Sequence, residues 1–129
     1  MANDDYSILS IPLPVDDQAG IMSAVASCEA LSYGISEKIR IAEERIASLE
    51  HSYTVKWMSS MVSSPGDKVA ISEARAKSAT ADIANEIAVL AAEVKYLKHV
   101  GKIIETRCSV GQSILSNYTA QIKAGIGSG

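Results

Sequence analysis

Four residues on one stretch could do electrostatic chemistry. Lys95, Lys98, His99 and Lys102 stand at i, i+3, i+4 and i+7, the spacing that gathers side chains on one face of a helix. Three lysines on such a face suit two roles. They can contact backbone phosphates, with repetition around an oligomer multiplying the charge. They can equally form a solvated face that balances acids on a partner helix. A second set comprises Lys56, Trp57, Lys68, Arg75 and Lys77. Trp57 is the only Trp. Among cations it can stack on a base while the cations hold phosphates, or it can plug the end of a helical hairpin. Asp67 and Glu73 dilute this second set.

No motif with catalytic mechanics accompanies these cations. His51 and His99 show no HExxH pattern and no metal-ligand spacing, and the chain has no Gly-rich phosphate loop and no GxSxG. Glu37, Glu43 and Glu44 could be taken as a carboxylate site, but on a charged helix they read as a solvated face. The expectation is a protein that is not an enzyme and needs no cofactor or metal. Cys28 and Cys108 belong to no CxxC and are expected as buried thiols in a reducing compartment. They fall in the same part of the expected hairpin, and whether they touch stays open at this level.

The elements that must position these groups can be read from composition and spacing. The chain has 129 residues, 47% hydrophobic and 5% aromatic, with no Phe. A compact sheet-based core of this size normally uses several Phe, because aromatic rings supply much of its buried area. Their absence argues against a sandwich, a barrel or a doubly wound sheet and favours long helices with thin aliphatic seams. From Ile21 the apolar positions step by four and three through Val25, Cys28, Ile35, Ile39, Ala42, Ile46, Leu49 and Tyr53, broken only by Ser32. This is a sustained heptad seam. Glu29, Glu43 and Glu50 flank it at e positions, Lys38 and Arg45 at g, as expected of a helix held in register against another. The first helix is predicted over 17–62, with Asp16 or Asp17 as its N-cap.

Ser63-Ser64-Pro65-Gly66-Asp67 breaks the pattern. Ser64 and Asp67 have capping-box spacing and Pro65 suits a first helical position, so a second helix region is predicted over 65–124, with a possible break near 78–82 or at Gly101. Its first part is Ala-rich. From Ile83 a second four-three series runs through Ile87, Leu90, Val94, Leu97, Gly101, Ile104, Cys108, Gly111, Leu115, Tyr118 and Ile122. Beside it lies another stripe: Val89, Tyr96, Val100, Ile103, Val110 and Ile114. A helix in a two-helix hairpin needs one apolar face, so the extra stripe predicts an interface between copies of the chain. Residues 125–129 read as a flexible tail. Residues 1–15 hold Pro12 and Pro14, which exclude a helix there, and read as an extended arm with apolar teeth at Ile8, Ile11 and Leu13, which can lie along the protein's own helices, the commoner outcome, or dock on a partner. The expected architecture is all-α: a single domain formed by a long antiparallel helical hairpin or coiled coil with an extended N-terminal arm, assembling as a homo-oligomer.

Charge is unevenly spread. The formal net charge is −3, which argues against a strongly basic nucleic-acid binder. Residues 1–20 carry Asp4, Asp5, Asp16 and Asp17 and no base, whereas 94–124 carry Lys95, Lys98, Lys102, Arg107 and Lys123 against Glu105 alone. An acidic start where a signal peptide needs a basic one, and no apolar run of the ~18 residues a membrane span needs, predict a soluble, intracellular, cytoplasmic protein with no membrane partner.

One family shares this order of elements. A Glu/Lys-rich first helix with a Trp near its end is followed by a short polar turn. Then come KVAISEARAKSATAD, a heptad run with Leu90, Val94 and Leu97, and ETRCSVGQSILSNYTAQIK. Over roughly residues 28–124 this resembles the small recombination mediators of tailed phages, the UvsY type. The resemblance implies a ring-like helical oligomer that binds single-stranded DNA. It implies a non-enzymatic protein that loads a RecA-like recombinase onto strands covered by single-strand binding protein. In that family basic residues toward the end of the first helix contribute to DNA binding. Here that region offers Lys56 beside His51, Tyr53 and Trp57, a sparser set of cations, so the DNA surface is expected to include Lys68, Arg75 and Lys77 or the Lys95 stripe. The rival expectation is a viral structural or assembly protein, or a coiled-coil adaptor, with no DNA binding.

Overall fold

Two apolar series at four-three spacing fold as two long helices that pack against each other in the computed structural model, which describes residues 6–62 and 66–127. Helix α1 is Gln18–Val62 and helix α2 is Val69–Gly127. No strand occurs among the described residues, and no described helix is long and apolar enough to cross a membrane. The chain divides into two compact units. Unit 1 takes the residues up to Ser36 and those from Lys98 onward, and unit 2 is Glu37–Leu97.

The start of α1 follows its sequence signal. The Asp17 carbonyl accepts the Ile21 N–H at 2.9 Å, the first bond of the helical ladder. The Asp17 carboxylate folds over Gly20, third residue of the helix, so closely that a Cβ there would lie 2.7 Å from Oδ2. This is where an N-cap side chain belongs. The start of α2 differs from expectation. Ser63, Ser64 and Pro65 lie outside the described residues, and the helix begins at Val69 instead of 65. Gly66 has φ +97, a left-handed conformation that interrupts helical continuity and favours glycine. From Val69 the helix is continuous through 78–82 and through Gly101 to Gly127.

The arm also departs from the extended form. Ser7–Ser10 makes one 3-10 turn, closed by the Ser10 hydroxyl donating to the Ser7 carbonyl at 2.7 Å. Beyond it Pro12 to Pro14 are irregular. Within unit 1 the arm is held on α2 by two long side chains. Arg107 donates to the Ile11 carbonyl at 2.6 Å and the Tyr118 hydroxyl donates to the Val15 carbonyl at 2.6 Å.

Unit 1 buries Ile21, Val25, Cys28 and Ile35 of α1 with Val100, Ile104 and Gly111 of α2. Ser32 is exposed, as the break in the series requires. Unit 2 buries Ala42 and Leu49 of α1 with Ala76, Val94 and Leu97 of α2, together with Ser72 and Thr80. The Thr80 hydroxyl donates back to the Ala76 carbonyl at 2.8 Å, which satisfies it inside the seam. Arg45, read as a register charge beside the seam, donates twice to Glu86 of the same unit, at 3.0 and 3.3 Å.

Two seam glycines differ in the space they leave, and this separates two substitutions. A Cβ at Gly101 meets only an Ile35 methyl at 3.7 Å, an ordinary contact. Gly101→Ala should therefore raise stability by up to about 1 kcal/mol through helix propensity. A Cβ at Gly111 would lie 2.6 Å from a Val25 methyl. Val25 is buried, and a helical valine has essentially one rotamer, so it cannot swing aside. Overpacking of this kind costs about 1–3 kcal/mol, which exceeds the propensity gain. Urea midpoints should move in opposite directions for the two variants. Equal stabilisation by both would show that the helices do not cross closely at Gly111.

Candidate nucleic-acid interface

The cations of the second set all lie in unit 2. Lys56, Lys68 and Lys77 are exposed. Lys56 lines a shallow groove of about 400 Å³ with His51, Ser52, Val55 and Ser59. Trp57 is half-buried and stacks on Tyr53, with ring centroids 5.9 Å apart and planes at 21°. One face of the indole is thus already covered within the chain. Arg75 is engaged locally, pairing with the Asp67 carboxylate and donating to the Ser60 carbonyl at 3.3 Å. These bonds join the two sides of the connection and favour a structural role for its guanidinium over phosphate contact. Lys95 is exposed on α2.

In unit 1 Lys98, His99 and Lys102 are exposed on α2. The docked arm makes a groove there of about 510 Å³. Leu13, Ile103 and Val110 supply apolar surface, Thr106 a hydroxyl, and His99, Lys102 and Arg107 the basic groups. Sequence reasoning places Lys102 in this surface but misses Leu13 and Arg107 as its walls. Their signals are present, an apolar tooth and a cation in a basic segment. What is not legible is where the arm docks, which depends on side chains reaching backbone carbonyls about a hundred positions away.

The acidic candidates resolve as an ion-paired face. Arg40 donates to Glu37 at 2.9 Å and to Glu44 at 2.8 Å, one turn either side. The hydrogen bond and the charge of Arg40 hold the Glu37 carboxyl below its usual range. Among the described residues no group of three or more His, Cys, Asp or Glu is placed to hold a metal ion.

The second apolar stripe is divided by the fold. Val89, Tyr96, Ile103 and Val110 are exposed and Ile114 is half-buried. Val100 is a correction. It is 4% exposed and belongs to the intrachain core of unit 1, because it lies three and four residues from the buried Leu97 and Ile104 and so shares their face. No known protein family, curated protein or solved structure matches this chain.

Proposed function

We propose that this chain is a non-enzymatic helical protein that binds single-stranded DNA and assembles with copies of itself, the working pattern of a UvsY-type recombination mediator. The groove of unit 1 carries the reading. His99, Lys102 and Arg107 stand beside the apolar surface of Leu13, Ile103 and Val110, and Lys98 is exposed on the same stretch of α2. Cations beside apolar surface suit a single strand, whose phosphates need positive charge and whose unpaired bases need cover. Exposed Val89 and Tyr96 in unit 2, and Ile103 and Val110 in unit 1, offer surface for contact between copies. Assembly would let several weak strand contacts act together. The bound strand would be handed to a RecA-like recombinase in place of single-strand binding protein, in the cytoplasm of the cell or phage host.

Fluorescence anisotropy of a labelled oligonucleotide at two salt concentrations tests this. Binding at low salt that weakens steeply as salt rises is expected, since each phosphate contact releases counterions. No binding at low salt, or binding indifferent to salt, excludes the reading. A second reading, an assembly or structural protein without DNA binding, is favoured by the formal charge of −3 and by the exposed apolar residues of both units. It predicts the negative outcome of the same titration.

A further inference from the structure

Within unit 1 two contacts define the register of α1 against α2. Gly111 lies against Val25, and Gly101 lies against Ile35. A step of ten residues up one helix matches a step of ten down the other, so the helices run antiparallel in constant register. Cys28 is three residues beyond Val25, and Cys108 is three residues before Gly111. The register therefore sets the two cysteines opposite each other, less than one helical turn from the close approach at Gly111. A disulfide requires Cα atoms within about 7 Å, and the helices approach closely beside this pair, where a Cβ on Gly111 would lie 2.6 Å from a Val25 methyl. Both thiols are free in this structure, Cys28 buried and Cys108 half-buried.

We propose that Cys28 and Cys108 are an oxidative modification site, closing an intrachain disulfide across the seam of unit 1 when the chain meets a small-molecule disulfide such as oxidised glutathione. Burial, then the neighbouring Glu29 carboxylate, then Cys28 itself push the Cys108 thiol above its usual range. The influence of Cys28 on Cys108 agrees with the register. Because the raised thiol is mostly protonated near neutrality, the reaction should quicken as pH rises.

Cys108, the more accessible thiol, enters first. Its thiolate attacks one sulfur of glutathione disulfide, the S–S bond breaks, and one glutathione leaves as thiolate. The Cys28 sulfur then gives up its proton to solvent and attacks the Cys108 sulfur, expelling the second glutathione. Two protein thiols lose two electrons, one glutathione disulfide gains them, and the two protons end on the two glutathione thiols.

The full chain treated with oxidised glutathione at mildly alkaline pH is the test, read by intact mass, by thiol titration after unfolding and on a non-reducing gel. The expected product is lighter by two hydrogens, has no titratable thiol, runs as a single chain and yields a Cys28–Cys108 linked peptide. Cys28→Ala should stop at a stable glutathione adduct on Cys108. Gly111→Ala, which forces the helices apart at the neighbouring turn, should slow ring closure in the otherwise intact pair. A wild-type chain that halts at the glutathione adduct, keeps both thiols, or links to a second copy overturns the proposal.

Discussion

Replacing Lys98 and Lys102 together with alanine should weaken single-strand binding by about tenfold at low salt. It should also flatten the dependence of log affinity on log salt by roughly 0.7 for each lysine that contacts a phosphate. The two effects must appear together, because counterion release is the source of both. Both side chains are exposed on the continuous helix α2, and alanine is the best helix former. The double variant should therefore keep its helicity, and lost binding would not reflect lost folding. Lys68→Ala with Lys77→Ala in unit 2 should have a smaller effect, since the groove of unit 1 is lined by Lys102 and by neither of these lysines. Equal losses from the two pairs would move the strand's path away from the groove of unit 1. Unchanged affinity in both would favour the assembly reading.

Ile104→Ala should cost about 2–5 kcal/mol, the range for emptying a fully buried aliphatic site. Ile104 is 0% exposed, and a seam between two helices has few neighbours that can collapse into the void. Against a typical total of about 5–15 kcal/mol, one such loss could unfold the chain at room temperature. Ile103→Ala, one position along, removes a side chain that is 41% exposed and should cost under about 1 kcal/mol in the isolated chain. Denaturant midpoints at two protein concentrations read both variants. A cost at Ile103 that grows with protein concentration in the wild type relative to the variant would place that residue in contact between copies, as the proposed assembly requires. Equal, concentration-independent costs at the two positions would contradict the burial on which the seam rests.

Much of this seam is legible in the sequence because large aliphatic residues at four-three spacing fall on a single helix face, which must be covered. Ile21, Val25, Cys28, Ile35, Ala42 and Leu49 are all buried where the heptad places them, as are Val94, Leu97 and Ile104. The first turns of α2 are harder to read. Ser72, Ala76 and Thr80 are buried there, but small and hydroxyl-bearing side chains carry no hydrophobic period, so the stretch looks only Ala-rich. Val100 escapes the heptad for a related reason. The seam face of α2 is wide enough to take in a residue beside the strict heptad line, and in sequence that residue looks like part of a separate stripe. Gly66 has a left-handed φ and α2 begins after it at Val69, whereas Ser64 and Pro65 of the capping pattern lie outside the described residues. The candidate site is half legible. Lys98 and Lys102 stand out by charge and spacing, whereas the groove beside them needs the arm. Its docking by Arg107 and Tyr118 is a long-range match of donors to backbone carbonyls and has no local signature. The stack of Trp57 on Tyr53, by contrast, follows from their i, i+4 spacing on one helix face.

Light scattering of the purified chain with and without a single-stranded oligonucleotide tests the central claim most directly, since it reports assembly and strand binding in one mass. The account predicts a mass several times that of one 13.6 kDa chain without DNA, and a further increase, with DNA in the same peak, when the strand is added at low salt. A single-chain mass with DNA eluting separately would contradict it.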